Sequence, residues 1–119
     1  MGAHPYVHFD PNALLADLFD SVDIVRTVLN TFAEWKDSVH TDLRTAAENA
    51  DAVRLARITH TLRGSLAQIH ARPALELAQA LEARCKGSAE FRPQATDIEA
   101  LQRELQALGD EITHYLGSI

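Results

Sequence analysis

The segment from His60 to Ser65, His-Thr-Leu-Arg-Gly-Ser, holds the side chain best suited to chemistry in this chain. Near neutral pH a histidine can act as an acid, a base or a nucleophile. On a helical wheel of about 100° per residue, His60 lies about 160° from Leu62, on the side away from the apolar positions. Gly64 follows one turn later on the same face. The pattern predicts an exposed, reactive histidine that a large partner can approach closely.

The helix that carries His60 has a narrow apolar seam. Its members fall within roughly 40° of a common direction and must face a core. They are Leu55, Ile58, Leu62, Leu66 and Ile69. Small residues are predicted on the opposite face, beside the imidazole. They are Ala56, Ala67 and Ala71.

Two helices are predicted before this one. Asp10-Pro11 has the pattern of an N-cap followed by proline at the first helical position, and it begins a short helix that runs through Phe19. Asp20 or Ser21 caps a long second helix, which reaches about Asn49. Its apolar residues recur every three or four positions, as in an amphipathic helix.

The remaining helices follow short breaks in the pattern. Asp51 can cap the third helix, which carries His60 and ends near His70-Ala71. Pro73 opens a fourth helix that ends at Lys86-Gly87, with a basic last turn and a glycine stop. A fifth helix has apolar positions from Ile98 to Tyr115.

Four amphipathic helices with short connections predict an all-α fold, an antiparallel four-helix bundle with a short extra N-terminal helix. Residues 10–119 are predicted to form this single domain. Residues 1–9 are expected to be a flexible N-terminal segment, whether native or a remnant of cloning.

Composition narrows the class of protein. The chain has 119 residues, 46% hydrophobic and 24% charged, and a formal net charge of −6, which argues against nucleic acid as a partner. No apolar run is long enough to cross a membrane, so no direct membrane insertion is expected. A lone cysteine, Cys85, gives no internal disulfide, and a cytoplasmic location is predicted. No metal site is expected, because Pro5 makes a helix joining His4 and His8 unfavourable.

The His60 segment resembles the signature of histidine phosphotransfer (HPt) domains, which read His-x-Leu-Lys-Gly-Ser or Ala. Gly64 and Ser65 match directly, Arg63 stands where lysine is usual, and His70 stands where glycine is common. The order of helices is also similar to that of the family. The resemblance covers most of the chain.

This resemblance implies that His60 accepts a phosphoryl group from a receiver aspartyl phosphate and passes it to another receiver in a multistep phosphorelay. Arg63 would screen the phosphoryl charge, and Gly64 would allow close approach. The domain would need no cofactor of its own, since Mg²⁺ belongs to the receiver. A monomer is expected, either free-standing or as the C-terminal domain of a hybrid sensor histidine kinase.

The geometry of the turn between the third and fourth helices predicts which residues lie near His60. Reflecting position 60 through that turn brings Gln79, Glu82 and Lys86 within reach, and Glu82 could accept the second N–H of the imidazole. With residues of the third helix they form the predicted receiver-docking surface. Its other members are Ala56, Arg57 and Ala67.

Other functions compete with this interpretation. The phospho-acceptor hairpin of a sensor kinase shares His60, Leu62 and Arg63, but Thr61 replaces the acidic residue that serves there as a base. A non-catalytic bundle that binds a receiver or another signalling partner without phosphotransfer is the main alternative. The chain is interpreted as a phosphocarrier rather than an autonomous enzyme, because no catalytic triad or inward carboxylate pair is visible.

Overall fold

A computed structural model of the chain describes residues 5–119 as five α-helices connected by turns and loops, with no strand in that range. In chain order the helices are α1 (Pro11–Asp17), α2 (Val22–Glu48), α3 (Ala52–Gln68), α4 (Arg72–Gly87) and α5 (Ala95–Ser118). Helix α3 packs against α2 and α4, and α5 closes the bundle against the same two helices. The predicted all-α bundle with a short N-terminal helix is confirmed. None of these helices is long and apolar enough to cross a bilayer.

Polar side chains begin four of the helices. Those of Asp10, Ser21 and Asp51 each accept a hydrogen bond from the backbone N–H three residues later, at 3.0 to 3.3 Å. Helix α5 begins with a capping box, in which Gln94 and Asp97 satisfy each other's backbone N–H groups. These bonds satisfy donors that the first turn of a helix leaves without partners.

Three helices end on a residue in the left-handed region, although none of these residues is glycine. Phe19, Ala50 and His70 have φ values of 56°, 49° and 58°. In each case the N–H groups of that residue and the next bond back to the last helical turn, which is the Schellman pattern. The predicted first helix was too long, because α1 ends at Asp17 and Phe19 is an exposed turn residue.

The end of α3 also differs from the sequence-based prediction. The helix ends at Gln68, and Ile69 is its C-cap. Because the chain leaves helical geometry there, the wheel no longer applies to Ala71. The structure buries Ala71 completely in the core, so its predicted position beside His60 was wrong. The apolar seam of α3 faces the core as expected, with Ile58 only partly buried.

The N-terminal boundary lies earlier than residue 10. Phe9 belongs to the core, and Tyr6 packs against it. The backbone N–H groups of Val7 and His8 donate to Glu111 of α5. Residues 5–9 therefore pack on the bundle in the structure. The rest of the predicted flexible segment, residues 1–4, lies outside the described residues.

Candidate functional site

His60 lies near the middle of α3, on the side where α4 packs. Its side chain is 69% exposed. The connection between α3 and α4 is three residues long, so the two helices return antiparallel along each other. This hairpin brings the second half of α4 beside His60.

Glu82 of α4 is the centre of a small polar network. It is 3% exposed, yet three side chains reach its carboxylate. His60 Nδ1 lies 3.1 Å from Oε2, Arg63 donates to Oε1 at 2.7 Å, and Lys86 donates to Oε2 at 2.7 Å. A buried carboxylate with such partners satisfies the rule that buried charges are paired and hydrogen-bonded.

The charge state of Glu82 follows from these contacts. Hydrogen bonds from Lys86 and then from Arg63 lower the pKa of Glu82 from its ordinary value of 4.5 to about 2, against the opposing effect of burial. The contact with His60 acts in the same direction as the two cations. Glu82 is therefore an anion, and a pure hydrogen-bond acceptor, throughout the physiological pH range.

Two surface pockets meet at His60, one towards each end of α3. The larger, about 700 Å³, lies towards the start of α3 and the end of α4. Its walls are Ala52, Val53, Ala56, Arg57, His60, Thr61, Cys85 and Lys86. The smaller, about 310 Å³, lies towards the α3–α4 turn. Its walls are His60, Arg63, Gly64, Ala67, Leu75 and Gln79.

The structure brings together the nine residues predicted for the reaction and the docking surface, although Ala71, also predicted beside His60, is in the core. Eight of them line the two pockets, and the ninth, Glu82, lies beneath His60 and Arg63. Ala56 differs from its expected exposure, because it is only 9% exposed, although it lines the larger pocket. Gly64 is exposed, and a Cβ added there would meet nothing within 4 Å outside the backbone of its own helix.

Other residues around His60 were missed by the sequence analysis. Val53 is exposed on the wall of the larger pocket, seven residues before His60 and so on the same helical face. This spacing is a signal that could have identified it. Leu75 and Cys85 come from α4, and their place depends on how the hairpin packs. Burial raises the pKa of the Cys85 thiol, which makes it a poor nucleophile.

The part of the chain that the structure describes contains no group of three metal-ligating side chains. His8, which was considered with His4 as a metal ligand, instead contacts Glu104 at 2.5 Å. His4 lies outside the described residues.

Comparison with known proteins identifies the family. Residues 27–111 match the family model of the Hpt domain, and this range covers most of α2 and α5 and all of α3 and α4. Searches of curated proteins and of solved structures gave no match. An Hpt domain carries out histidine phosphotransfer within a phosphorelay, in which it interacts with receiver domains. The helical bundle, the exposed histidine on its third helix and this match agree, and the chain belongs to the Hpt domain family.

Proposed function

We propose that His60 is the phospho-accepting residue, which takes a phosphoryl group from a receiver aspartyl phosphate and returns it to the aspartate of another receiver. The contact of His60 Nδ1 with the buried, ionised Glu82 carries this proposal. It leaves the other ring nitrogen, Nε2, as the position for the reaction on an exposed side chain.

The protonation of the ring follows from the charge of its partner. Because the ionised carboxylate of Glu82 can only accept, Nδ1 must carry the hydrogen in this bond. In a neutral imidazole the lone pair is then on Nε2, and Nε2 is the nucleophilic atom. Glu82 thus acts as a positioning residue, which selects the tautomer and holds the ring towards solvent.

The reaction is an in-line displacement at phosphorus. The lone pair of Nε2 forms the new N–P bond while the P–O bond to the receiver aspartate breaks, and the bonding pair leaves with the carboxylate. The ring becomes a cation that still holds its Nδ1 hydrogen, and the anionic Glu82 stabilises that charge. Transfer to a second receiver is the same step in reverse.

The cations around Glu82 have a second role in this proposal. Arg63 and Lys86 neutralise the buried carboxylate, so that an incoming phosphoryl group does not meet an uncompensated negative charge. The side chain of Lys86 is more exposed than that of Arg63, and either can turn its remaining N–H groups towards phosphoryl oxygens. The receiver would supply its aspartate and a Mg²⁺ ion.

We propose the surface around His60 as the docking surface for receivers of a response regulator or of a hybrid sensor kinase, in the cytoplasm and with this domain as a monomer. Arg57, exposed on the wall of the larger pocket, adds positive charge that suits the acidic site of a receiver. Gly64 removes side-chain bulk where the partner must come closest to Nε2.

The test is phosphotransfer from a panel of phosphorylated receiver domains. We expect an acid-labile label on the wild-type chain and on a His40→Gln control, and none on His60→Gln. Label that persists on His60→Gln would overturn the choice of His60.

The main alternative is a bundle that binds receivers without accepting phosphate. That function would be supported if a receiver binds, yet no receiver in the panel labels the chain. Loss of label from the receiver without its appearance on this chain would instead indicate a phosphatase-like role.

A further inference from the structure

Residues 5–9, here called the N-terminal strap, are held on the bundle by carboxylates of α5. Both side-chain oxygens of Glu111 accept backbone N–H bonds, from Val7 at 2.9 Å and from His8 at 2.8 Å. The His8 imidazole contacts Glu104, which lies about two turns earlier in α5 than Glu111, at 2.5 Å. These backbone bonds to Glu111 do not involve the side chain of Val7. A change of that side chain therefore leaves them in place.

Aromatic packing fixes the strap at its two ends. Phe9 is buried in the core, and its ring packs edge-on against Tyr115 at 5.9 Å between centroids. The ring of Tyr6 lies 5.6 Å from those of Phe9 and Tyr115, and its hydroxyl is 2.8 Å from His114 Nδ1. Such aromatic pairs add stabilisation beyond the area that they bury. The strap is therefore a packed part of the surface.

The apolar side chain of Val7, next to Tyr6 in the strap, remains in solvent. Val7 is 71% exposed, beside a pocket of about 420 Å³ between the strap and the α3–α4 turn. Its walls come from the strap on one side and from the end of α3, the α3–α4 turn and the start of α4 on the other, where Ala67 and Leu75 lie.

This pocket is continuous with the one beside His60. Ala67 and Leu75 line both of them, so a groove follows the α3–α4 seam from His60 to the strap. Ala67 is seven residues after His60 in α3, which is about 10 Å along the helix axis at 1.5 Å per residue. A protein docked over His60 meets the strap next along this groove.

A protein–protein interface of ordinary size, centred on His60, is wide enough to include Ala67. A standard interface buries about 800 Å² on each partner, which corresponds to a disc of roughly 16 Å radius. A disc of that size centred on His60 extends past Ala67 into the pocket that the strap also lines. Residues at its edge contribute less affinity than the centre, and they influence the choice of partner.

We propose that the N-terminal strap is part of the receiver-docking surface and that Val7 contacts the bound receiver. The proposal rests on the proposed function. The family model matches residues 27–111, so the strap lies outside the part of the chain that matches the general Hpt pattern. A contact there distinguishes receivers that the shared helices alone would treat alike.

The test uses each phosphorylated receiver that labels His60, with transfer rates measured against receiver concentration. Val7→Glu places a charge on an exposed side chain and should leave folding intact. We expect it to raise KM about fivefold for at least one receiver, with kcat and the thermal unfolding temperature unchanged. Equal KM values for Val7→Glu and wild type with every such receiver would overturn the proposal.

A second pair of variants separates docking from simple charge loss. Glu111→Gln weakens the bonds that hold Val7 and His8, whereas Glu99→Gln removes the same charge from an exposed position of α5. We expect KM to rise for Glu111→Gln alone, and equal KM values for the two would contradict the proposal. If no receiver labels wild-type His60, the proposed function fails first and the strap proposal fails with it. Label on His60 without these KM effects overturns the strap proposal alone.

Discussion

The two antiparallel helix pairs of the bundle differ in charge and in what their charges do. Helices α3 and α4 carry six basic and two acidic residues, whereas α2 and α5 carry ten acidic and four basic ones. One of the two acids on the α3–α4 side is Glu82, which is buried beneath His60. A chain with net charge −6 therefore presents a basic face around its exposed histidine. Net charge describes solubility and long-range attraction, but the distribution of charge determines where a partner docks.

The largest expected effect comes from the buried acid of the basic pair. In Glu82→Gln the amide can turn its NH₂ group towards His60 and favour the tautomer with hydrogen on Nε2, which removes the nucleophilic lone pair. We expect phosphotransfer to His60 to slow by about 100-fold, less than the roughly 10⁴-fold loss of kcat when a catalytic imidazole is held in its wrong tautomer, because the amide can also present its oxygen to Nδ1. The measurement is the single-turnover rate from a phosphorylated receiver. Glu76→Gln, on the exposed side of α4, is the control and should transfer at the wild-type rate.

A reversal of charge on each pair tests whether the basic face steers the receiver. Arg57→Glu on α3 should lower kcat/KM about tenfold at low ionic strength, with the difference shrinking as salt is added. Arg103→Glu makes the same change on α5 and should have little effect. Equal losses in the two variants would show that total charge, rather than the α3–α4 face, governs association.

The dependence of the free energy of unfolding on acidic pH should also distinguish Glu82 from exposed carboxylates. The pKa of Glu82 is about 2 in the folded chain, below its ordinary value of 4.5, so the unfolded chain takes up this proton first as the pH falls. The stabilisation is complete above 4.5 and is lost as the pH falls towards 2. We expect the free energy of unfolding to fall less steeply over this window in Glu82→Gln than in Glu76→Gln. Chemical denaturation at several acidic pH values measures both slopes, and parallel slopes would contradict the assigned pKa.

Substitutions of two glycines, one on each helix pair, have the smallest expected effects on stability and phosphotransfer. They make the same chemical change at both positions. A Cβ at Gly64 on α3 has open space, whereas a Cβ at Gly109 on α5 would lie 2.7 Å from Lys36 Cε. Gly64→Ala should therefore raise the free energy of unfolding by about 0.5 to 1 kcal/mol, from helix propensity. It should also slow phosphotransfer, because a methyl group then occupies the space that the receiver needs.

Gly109→Ala should gain less stability than Gly64→Ala, because the end of the Lys36 side chain must move aside. It should leave phosphotransfer unchanged. Denaturant unfolding and single-turnover transfer on the two variants measure both quantities. A Gly64→Ala variant that transfers at the wild-type rate would remove the argument for close approach at this position.

Local patterns were enough to predict the bundle and the neighbourhood of His60. A cap such as Asp51 and the apolar seam of α3 depend on residues only a few positions apart. Both can therefore be identified from the sequence alone. Glu82 was within reach of prediction because a short turn between two helices makes position 60 face the low 80s. The pairing of Glu82 with His60 depends on the position of the turn between α3 and α4, which can be predicted from the sequence.

The rest depends on contacts that no local pattern records. The strap is held by Glu111, more than 100 positions further along the chain. Phe19 and Ala71 were placed on helical faces although the helices end before them, because Phe19 and His70 take left-handed backbone conformations that glycine usually supplies. A side-chain contact offsets part of the cost of the left-handed conformation at His70, since its Nε2 lies 2.6 Å from Asp17 at the end of α1.

The slender shape of the bundle sets a condition on how such a relay can work. The molecule measures 48 × 21 × 21 Å, and His60 lies near the middle of α3. A receiver footprint about 32 Å across is wider than the rod, so donor and acceptor cannot occupy His60 together. Each must leave before the other arrives, and the dissociation rate of the first complex then limits the throughput of the relay. An interface that is tight enough to hold its receiver for minutes would stop the signal.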